Sequence, residues 1–336
     1  MNILFTCAGR RNYLINYFKE ALNGEGHILA ADQNMSAPAM VDADIAIKVP
    51  SIYSPNYIDT LKSKAKEYEI NAIISLNDLE LPILSRHRSE LEAQGTKVLV
   101  SDPEIIDIAF DKWETVKFIE KIGLKSPKTY RTLSDTIKAI EQGTLNFPLV
   151  VKPRWGSASI GIEFPESMRE LELIHELLNI KLKKSILNIA SSIDIENAFI
   201  FQEKITGEEF GIDVLNDFNR EYFGTFARKK LSMRSGETDK AMSFIDNTLS
   251  QIGQTLGENS KHLGNMDCDV FVKDGQTYVL ELNPRFGGGY PFSHEAGINT
   301  AAIYISWLKG NHDVTQFDNY QHGLIFSKCD RMIKIC

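Results

Sequence analysis

The segment from Gly264 to Pro291 carries acidic side chains where a buried strand would normally carry apolar ones. Two apolar runs flank a Lys-Asp-Gly sequence, which is typical of a β-hairpin. Asp267 and Asp269 lie in the first run, and Glu281 lies in the second. Converging carboxylates raise each other's pKa unless a cation lies between them. Such hard oxygen ligands suit Mg²⁺ or Mn²⁺, so the hairpin predicts a metal site.

The register of this hairpin depends on the length of its turn. With a two-residue turn, Cys268 pairs with Glu281, and the aspartates point to the opposite side of the sheet. With a three-residue turn ending at Gly275, Asp267 pairs with Glu281, and Asp269 lies diagonal to it. The metal site requires the second arrangement, which we expect. A solvent-facing strand with scattered acids is the alternative.

The residues that follow Glu281 support the metal prediction. Asn283 shares a strand face with Glu281 and adds an amide oxygen. Pro284 ends the strand at that point. Arg285 then offers a planar group with five N–H donors, which suits phosphate or carboxylate.

A second candidate is a loop rich in glycine and serine that follows an apolar strand. The strand, FPLVV, delivers Lys152 to the loop. Small residues with free backbone N–H groups can lie over a polyphosphate, and the lysine adds a point charge. The lysine precedes the glycines, so this is not a P-loop, and an ordinary surface loop has a similar composition. The loop residues concerned are Gly156, Ser157, Ser159 and Gly161.

A third candidate is the strand end QEKI, which is followed by a glycine turn and a second strand. In a nucleotide site, backbone groups at such a strand end can pair with an adenine edge. A carboxylate from Glu208 or Glu209 can then hold the ribose hydroxyls. A charged hairpin without a ligand is the alternative.

Composition restricts the ligand classes. The net charge of −8 argues against a nucleic-acid partner and favours small molecules. The N-terminus has no basic region or cleavage site of a secretory signal, and the apolar runs are too short for a membrane helix. These features predict a cytoplasmic protein with no membrane partner. The four cysteines form no C-x-x-C pair and are expected to be reduced.

The elements that position these residues fall into two regions. The first hundred residues alternate short β-branched runs with helical stretches, which predicts a parallel sheet with helices on its faces. The stretch from Ser101 to Pro127 starts with an Asp cap before Pro103 and ends at a glycine, which predicts one helix. The second half mixes helices with antiparallel hairpins, an α+β pattern. We therefore predict a combined α/β and α+β architecture.

The order of these pieces resembles the ATP-grasp superfamily. It consists of a lysine on a helix (FDKWETVKF), a lysine before a Gly/Ser loop, the QEKI hinge and the sequence LELNPR. The resemblance covers residues 105–310 and is nearest to single-chain carbamoyl-phosphate-synthase-like ligases. Residues 1–104 are similar to the domain that precedes ATP-grasp in biotin carboxylase. The predicted divisions are a pre-ATP-grasp domain (1–104), a two-lobed ATP-grasp domain (105–310) with a lid at about 127–200, and a tail (311–336) that packs on the core.

The resemblance implies a role for each candidate residue. Lys112 and Lys152 would bind ATP phosphates beneath the Gly/Ser loop, and Arg285 would hold the transferring phosphoryl group or an acyl phosphate. The adenine pocket would be lined by Gln202, Glu203, Lys204 and Ile205, with Glu209 at the ribose. Two Mg²⁺ ions would be coordinated by Asp269, Glu281 and Asn283, with Asp267 behind them.

The resemblance also implies the reaction. We expect an ATP-dependent ligase that joins a small carboxylate and an amine through an acyl phosphate, with ATP and Mg²⁺ (or Mn²⁺) as cofactors. Additional cations for the transferring group are Arg228, Lys230 and Arg234, although such a basic run can also be solvated. The chain ends after one ATP-grasp unit, so full carbamoyl-phosphate synthesis is not expected. Phosphorylation of bicarbonate or carbamate, and an ATP-binding module without catalysis, are the alternatives.

The acceptor site is open at this stage. Arg10 and Arg11 follow the first strand and could hold an acid. The segment GGGYPFSHEAGIN could shape the acceptor pocket, with His294 or Glu295 as a base, although a structural role is the more typical one for His294. Polar residues near later strand ends could hold an amine, namely Asp32, Asn77, Asp78 and Glu80. Each could instead be structural, and Asp78 and Glu80 could cap the helix that follows. A dehydrogenase is disfavoured because TCAGRR has one glycine where a dinucleotide fingerprint has three. A homo-oligomer is possible.

Overall fold

The computed structural model describes residues 1–156 and 160–335. These residues form two compact units built from segments that are separated in sequence. The first unit consists of Met1–Ile106, Gly211–Asp267 and the described residues from Asn283 onward. The second unit consists of Asp107–Phe210 and Cys268–Leu282.

The N-terminal part of the first unit is a parallel five-stranded sheet. Its strands are β1 (Asn2–Thr6), β2 (His27–Asp32), β3 (Ile45–Lys48), β4 (Ala72–Ser75) and β5 (Lys97–Val98). They lie in the order β3-β2-β1-β4-β5, and all pairs are parallel. The accompanying helices are α1 (Asn12–Leu22), α2 (Pro38–Asp42), α3 (Tyr57–Glu67) and α4 (Leu81–Glu92). The parallel α/β prediction for this region is confirmed.

The next elements lead into and form the second unit. They are α5 (Pro103–Phe110), α6 (Lys112–Lys121), β6 (Thr129–Tyr130), α7 (Leu133–Glu141), β7 (Leu149–Pro153), α8 (Met168–Leu182), α9 (Asn188–Ser191), a 3₁₀ turn (Ser192–Asn197) and β8 (Phe199–Glu203). The three strands form an antiparallel sheet in the order β6-β8-β7.

The remaining elements include a six-stranded sheet. They are β9 (Glu208–Asn216), β10 (Tyr222–Arg234), β11 (Glu237–Phe244), α10 (Asn247–Ser260), β12 (Asn265–Lys273), β13 (Gln276–Asn283), α11 (Tyr290–Glu295), α12 (Thr300–Leu308), a 3₁₀ turn (Thr315–Phe317) and β14 (Ile325–Ser327). The strand order is β13-β12-β9-β10-β11-β14. The C-terminal strand β14 pairs antiparallel with β11.

Aromatic rings connect the N-terminal sheet of the first unit with its C-terminal elements. Phe18 on α1 makes edge-to-face contacts with Phe5 at 4.9 Å, and with Phe286 and Tyr304 at 6.0 Å each, between ring centroids. All four side chains are buried in one apolar core. The burial of Phe286 fixes the backbone next to Arg285, because edge-to-face pairs add to the hydrophobic stabilisation of large rings.

The predicted single helix before Pro127 is wrong. It is broken into α5 and α6 at Asp111, whose backbone is extended and whose side chain accepts a hydrogen bond from the N–H of Trp113 at 3.0 Å. Asp111 is thus the N-cap of a new helix, an arrangement that stabilises a helix start. The break makes Lys112 the first residue of α6.

Several further elements were not predicted from the sequence, and β3 and α10 are two of them. The short edge strand β3 has only one buried residue. Helix α10 lies in the region where only strand pairs were predicted. Its N-cap, Asp246, accepts a hydrogen bond from the N–H of Leu249 at 3.0 Å.

Candidate active site

Lys112 is buried at the start of α6, and its ammonium group points toward the Gly/Ser loop. Its Nζ donates a hydrogen bond to the carbonyl of Gly156 at 2.8 Å and lies 3.8 Å from Oε2 of Glu281. Asp111 accepts two hydrogen bonds of 2.7 Å from Arg154, which holds the helix start against the end of β7. Lys112 therefore has a fixed position between a loop and a carboxylate.

Lys152 lies on β7 and is almost fully buried, with 5% of its surface exposed. The pKa of Lys152 is lowered to about 8, mainly by burial and also by the charge of Lys112, while the carboxylates of Glu281 and Asp269 oppose this shift. Two ammonium groups and two carboxylates of the second unit therefore act on one another electrostatically. The two ammonium groups are the kind of point charge that binds phosphate.

The Gly/Ser loop is only partly described. Ser157 and Ser159 lie outside the described residues, so their predicted roles are not addressed by the structure. Gly156 and Gly161 both lie against Pro153, and a Cβ would come within 3.2 Å and 3.1 Å of its side chain, respectively. Gly161 also has a φ of +74°, a conformation that disfavours other residues.

The predicted adenine segment ends β8, and its side chains have different surroundings. Gln202 is buried, and its Nε2 donates to Oγ1 of Thr129 at 2.8 Å. The ammonium of Lys204 lies 4.9 Å from the ring centre of Phe164, and Ile205 is buried. The Gln202 side chain is thus committed to the three-stranded sheet, which leaves the backbone of the segment as the group that could pair with a base. Glu203 and Glu209 are half-buried.

The predicted three-residue turn of the acidic hairpin is wrong. β12 ends at Lys273 and β13 begins at Gln276, so the turn consists of Asp274 and Gly275, with φ values of 51° and 72°. Positive φ at both central positions is the geometry of the tight two-residue hairpin turn. In a regular ladder, this turn pairs Cys268 with Glu281 rather than Asp267.

Asp269 and Glu281 nevertheless both influence the charge of Lys152. Asn283 is half-buried at the last position of β13, and it belongs to the first unit, whereas both carboxylates belong to the second. Among residues 1–156 and 160–335, no group of three or more His, Cys, Asp or Glu side chains is placed to hold a metal. A pair of carboxylates still fits Mg²⁺, because Mg²⁺ commonly binds one or two carboxylates together with phosphates and water.

Arg285 lies directly after β13 in the first unit and is held by acidic residues. Its Nη2 donates to Oδ2 of Asp78 at 2.7 Å, and its Nη1 lies 3.7 Å from Oδ2 of Asp267. The side chain of Arg285 is 10% exposed. Asp78 is thereby an anchor for Arg285.

Arg228 is fully buried in the first unit, with 1% of its side chain exposed. It forms ion pairs with Asp213 and Asp267, and Nη1 lies 3.3 Å from the hydroxyl of Ser293. Asp213 also accepts hydrogen bonds from Ser293 at 2.6 Å and from Asn265 at 3.1 Å. Such surroundings favour a structural cation rather than direct contact with a substrate, contrary to the sequence interpretation.

The rest of the basic run on β10 differs from Arg228. Lys230 is half-buried. Arg234 lies at the exposed hairpin tip, where it pairs with Asp239 at 3.0 Å and with Asp330 at 2.8 Å. The basic run on β10 therefore contains both an interior ion-pair residue, Arg228, and a surface ion-pair residue, Arg234.

Other candidate residues have structural surroundings. Glu80 is fully buried and accepts hydrogen bonds from Thr6 at 2.7 Å, from Ser75 at 2.6 Å and from Tyr57. It makes no side-chain cap for α4, so the capping alternative does not hold for Glu80. His294 stacks on Tyr17 with 3.5 Å between ring centres, and burial lowers the pKa of His294 to about 4.

Sequence reasoning missed Arg154 and the acids around it. Its guanidinium is paired with Asp111 and Asp194 and lies 4.3 Å from the ring centre of Trp155. No local sequence pattern identifies these pairs, because Asp111 and Asp194 are both distant from Arg154 along the chain.

Comparisons with known proteins identify the two domains of the chain. The ATP-grasp domain family matches residues 109–289, which is more than half of the chain. The chain belongs to the ATP-grasp family. The PylC-like N-terminal domain family matches residues 3–99. Among the described helices of this ATP-grasp chain, none combines the length and apolar composition that a membrane-spanning segment requires.

The carbamoyl phosphate synthase large chain of Mesorhizobium japonicum is 28% identical over 222 residues, a match covering 60% of this ATP-grasp chain. This chain spans about a fifth of the length of that relative, with 19% covered. A Hydrogenobacter thermophilus biotin carboxylase domain dimer, in complex with MgADP, ADP and bicarbonate, has a TM-score of 0.73 and 14% identity over 96% of this chain and 73% of the other.

An L-amino acid ligase from Bacillus licheniformis has a TM-score of 0.66 and 18% identity, and the match covers 92% of this chain and 74% of the other. At such identities, the structural comparisons show that the fold is shared. The ATP-grasp domain with antiparallel sheets, preceded by the five-stranded α/β domain, is therefore confirmed as the fold.

Proposed function

We propose that this protein is an ATP-dependent carboxylate–amine ligase that works through an acyl phosphate. The observation that carries the proposal is the cluster of Lys112, Lys152, Asp269 and Glu281 in the second unit. Two buried ammonium groups suit a polyphosphate, and two carboxylates suit the cation that accompanies it.

The two-residue turn does not give the register expected for a shared face, but Asp269 and Glu281 both act on the charge of Lys152. On that ground, these two carboxylates would hold Mg²⁺ or Mn²⁺, and Asn283 stays the third predicted ligand. When bound, such an ion neutralises charge on the β- and γ-phosphates during transfer. Lys112 already lies 3.8 Å from Glu281, so a cation next to this carboxylate is compatible with the site. The hard oxygen donors match the preference of both ions.

The nucleotide would lie against the second unit. Lys112 and Lys152 bind its phosphates, beneath the loop that contains Gly156, Ser157, Ser159 and Gly161. The backbone from Gln202 to Ile205 contacts the adenine, and Glu209 the ribose. Support for the adenine contact comes from the buried position of Gln202 and Ile205, which keeps this strand end rigid.

Activation of the acid explains why these groups are needed. A carboxylate is a resonance-stabilised anion without a good leaving group, and phosphorylation makes it an acyl phosphate that an amine can attack. The protein has to position the reactants and neutralise charge. Arg285 is the cation proposed for the acyl phosphate, with Lys230 as a further candidate, while Arg228 holds Asp213 and Asp267 in place.

Phosphorylation of bicarbonate or carbamate is the second candidate function. It is favoured by the 28% identity with a carbamoyl phosphate synthase large chain. The cytoplasmic location and a homo-oligomeric state remain predictions.

A turnover screen tests the proposal. The release of ADP and phosphate is measured with pairs of carboxylates and amines, and separately with bicarbonate alone. Glu281→Gln removes a proposed metal ligand and should abolish turnover, whereas Glu172→Gln, in an exposed pair with Arg169 at 3.5 Å, should leave turnover unchanged. Turnover with bicarbonate alone supports the second function. Equal turnover in the Glu281→Gln variant and the parent refutes the metal assignment.

A further inference from the structure

Glu237, the first residue of β11, lies among more cations than one carboxylate can neutralise. Its Oε1 is 3.3 Å from Nη1 of Arg11, and its Oε2 is 3.3 Å from Nζ of Lys328. Burial favours a raised pKa for Glu237, but Arg11, Lys328 and Arg10 hold that pKa below its usual value. The surroundings are therefore positively charged, with one carboxylate at their centre.

A loop of the N-terminal sheet holds Arg11 in this position. The loop follows β1, and ligands of parallel sheets approach at such carboxyl ends of strands. The N–H of Gly9 donates to Oδ2 of Asp32 at 3.0 Å, and the N–H of Arg11 donates to the carbonyl of Ala8 at 2.9 Å. Asp32 thus orients the loop that carries Arg11.

The glycine run after Arg285 makes room for the same side chains. A Cβ on Gly288 would lie 3.0 Å from Nη1 of Arg11 and 3.3 Å from the carboxyl carbon of Glu237. Tyr13 connects the two parts, because its hydroxyl accepts from Arg11 at 3.1 Å and donates to the carbonyl of Gly287 at 3.3 Å. A side chain at position 288 would crowd Arg11 and Glu237.

The charged groups of this cluster remain accessible to a small molecule. The side chains of Arg11 and Lys328 are 20% and 23% exposed, and that of Glu237 is 52% exposed. Partial burial strengthens an ion pair relative to one in bulk water, because the effective dielectric constant is lower. A ligand with charges of both signs can exchange with the existing pairs at little electrostatic cost.

We propose that the zwitterion cluster, defined as Arg11, Tyr13, Glu237 and Lys328, binds the free α-amino acid head group of one of the two substrates. Arg11 and Lys328 hold the carboxylate, and Glu237 holds the ammonium group. A simple carboxylate is attracted by the cations but leaves Glu237 without an ammonium partner, and a simple amine is attracted by Glu237 but repelled by the cations. A zwitterion provides a partner for both. This inference rests on the proposed ligase function and names the substrate class.

Binding without nucleotide tests the inference directly. The probes are the common L-amino acids and their D-enantiomers, measured by isothermal titration calorimetry, and for each one that binds, its deaminated acid and its decarboxylated amine. We expect both truncated analogues to bind about tenfold more weakly or worse, because each loses a charged hydrogen-bond partner. An analogue that binds as tightly as its amino acid, or a panel in which no amino acid binds, overturns the inference.

Two variants identify the site. Glu237→Gln should weaken amino acid binding about tenfold without weakening that of the deaminated acid, because only the ammonium partner is lost. The matched control is Glu221→Gln, an exposed carboxylate 3.3 Å from Lys261 in the same unit, which should bind like the parent. Equal binding by both variants overturns the inference.

Turnover separates this inference from the proposed function. One outcome is ATP hydrolysis that depends on an acid and an amine, neither of which is an α-amino acid. That outcome supports a ligase and overturns the zwitterion cluster. Amino acid binding that requires Glu237, without ATP turnover under any pairing, supports the cluster and refutes the ligase.

Discussion

Arg228 is the clearest case of a charge whose removal should damage the fold. It is 1% exposed and pairs with Asp213 and Asp267. Arg228→Met leaves Asp213 without its cation and leaves Asp267 only the 3.7 Å contact with Arg285. Breaking a buried pair in this way costs about 3–5 kcal/mol of unfolding free energy. Urea denaturation measures the loss. We expect partial recovery when Asp213→Asn is added, because one stranded charge is then removed.

The control for Arg228 is a surface pair in the same unit. Lys261 lies 3.3 Å from Glu221, and their side chains are 49% and 72% exposed. Lys261→Met should cost less than about 1 kcal/mol, because exposed pairs are weak. Similar losses in the two variants would contradict the assignment of Arg228 as an interior structural cation.

His262 should make the unfolding free energy depend on pH. It is fully buried, with Nε2 3.0 Å from the carbonyl of Val214 and Nδ1 2.7 Å from the hydroxyl of Ser260. Burial lowers the pKa of His262 to about 4. Between about pH 6.5 and 4, the histidine is therefore protonated in the unfolded chain but neutral in the folded chain. The contribution of His262 to the unfolding free energy is complete above about pH 6.5 and is lost as the pH falls through this range.

Urea denaturation at pH 7 and pH 5 measures this dependence. At about 1.4 kcal/mol per pH unit, His262 alone should lower the unfolding free energy by about 2 kcal/mol at pH 5. His262→Gln should remove that part of the difference, whereas His312→Gln, at an exposed position, should retain it. A pH dependence that is the same in all three proteins would show that His262 is not responsible.

Sequence reasoning was most effective for side chains whose roles follow from spacing. Lys112 and Glu281 were assigned to one site, and the structure places them 3.8 Å apart. Arg154 and Asp213 were missed because their partners are distant in sequence and no local pattern marks an interior ion pair. Arg228 was interpreted as catalytic because burial is not visible in a run of basic residues.

At the scale of elements, the break between α5 and α6 is the feature that positions Lys112. The stretch contains a local start signal, because Asp111 can act as an N-cap and Glu114 follows three residues later. Arg154, after the end of β7, adds an ion pair to Asp111 at this break. The cap at Asp111 could therefore be predicted from the stretch itself, whereas its ion pair with Arg154 could not.

Asp111→Ala should affect both stability and nucleotide binding. It removes the N-cap of α6, which contributes about 1 kcal/mol to the unfolding free energy. It also removes the carboxylate to which the buried Arg154 donates two hydrogen bonds. We expect a loss of more than about 2 kcal/mol of unfolding free energy and weaker ADP binding, because Lys112 is the next residue. Urea denaturation and calorimetric titration with ADP measure the two effects.

Ser167→Ala is the matched control for the Asp111 prediction. Ser167 is the N-cap of α8 and accepts from the N–H of Glu170 at 3.3 Å on an exposed surface. Its loss should cost about 1 kcal/mol or less and leave ADP affinity unchanged. Equal effects of the two substitutions on ADP affinity would contradict the link between the α6 cap and Lys112.

The acidic hairpin shows why register was mispredicted. The three-residue turn was chosen so that Asp267 and Glu281 would share one face. The observed turn has positive φ at both Asp274 and Gly275, which its Asp-Gly sequence favours. Asp269 and Glu281 can both act on the charge of Lys152 without lying on one face of the sheet. The expected convergence of acidic residues therefore did not determine the register.

At the scale of the whole molecule, the order of elements was more predictable than their boundaries. Alternating apolar runs and helical stretches predicted the parallel sheet, because buried strands of such sheets are continuously apolar. The edge strand β3 was missed since it buries one residue, and α10 was missed among strand pairs. The compact units draw on distant segments of the chain, a property that is set by tertiary contacts and has no local sequence pattern.

Nucleotide and metal should stabilise the protein together. A ligand that binds only the folded state stabilises it by RT ln(1 + [L]/Kd), or about 2.7 kcal/mol at a hundredfold excess over Kd. We expect ADP with Mg²⁺ to raise the melting temperature by several degrees, and ADP with EDTA to raise it less, because Asp269 and Glu281 then face the phosphates without a cation. Differential scanning fluorimetry measures both shifts.

Glu281→Gln should change this pattern in a specific direction. Without one carboxylate, the Mg²⁺-dependent part of the shift should shrink, while the shift with ADP and EDTA should be retained or increased, because repulsion between the carboxylate and the phosphates is reduced. Glu172→Gln, in its exposed pair with Arg169, should behave like the parent. A shift that is independent of Mg²⁺ in the parent, or a Mg²⁺ effect of the same size in the Glu281→Gln variant, would place the metal away from this hairpin.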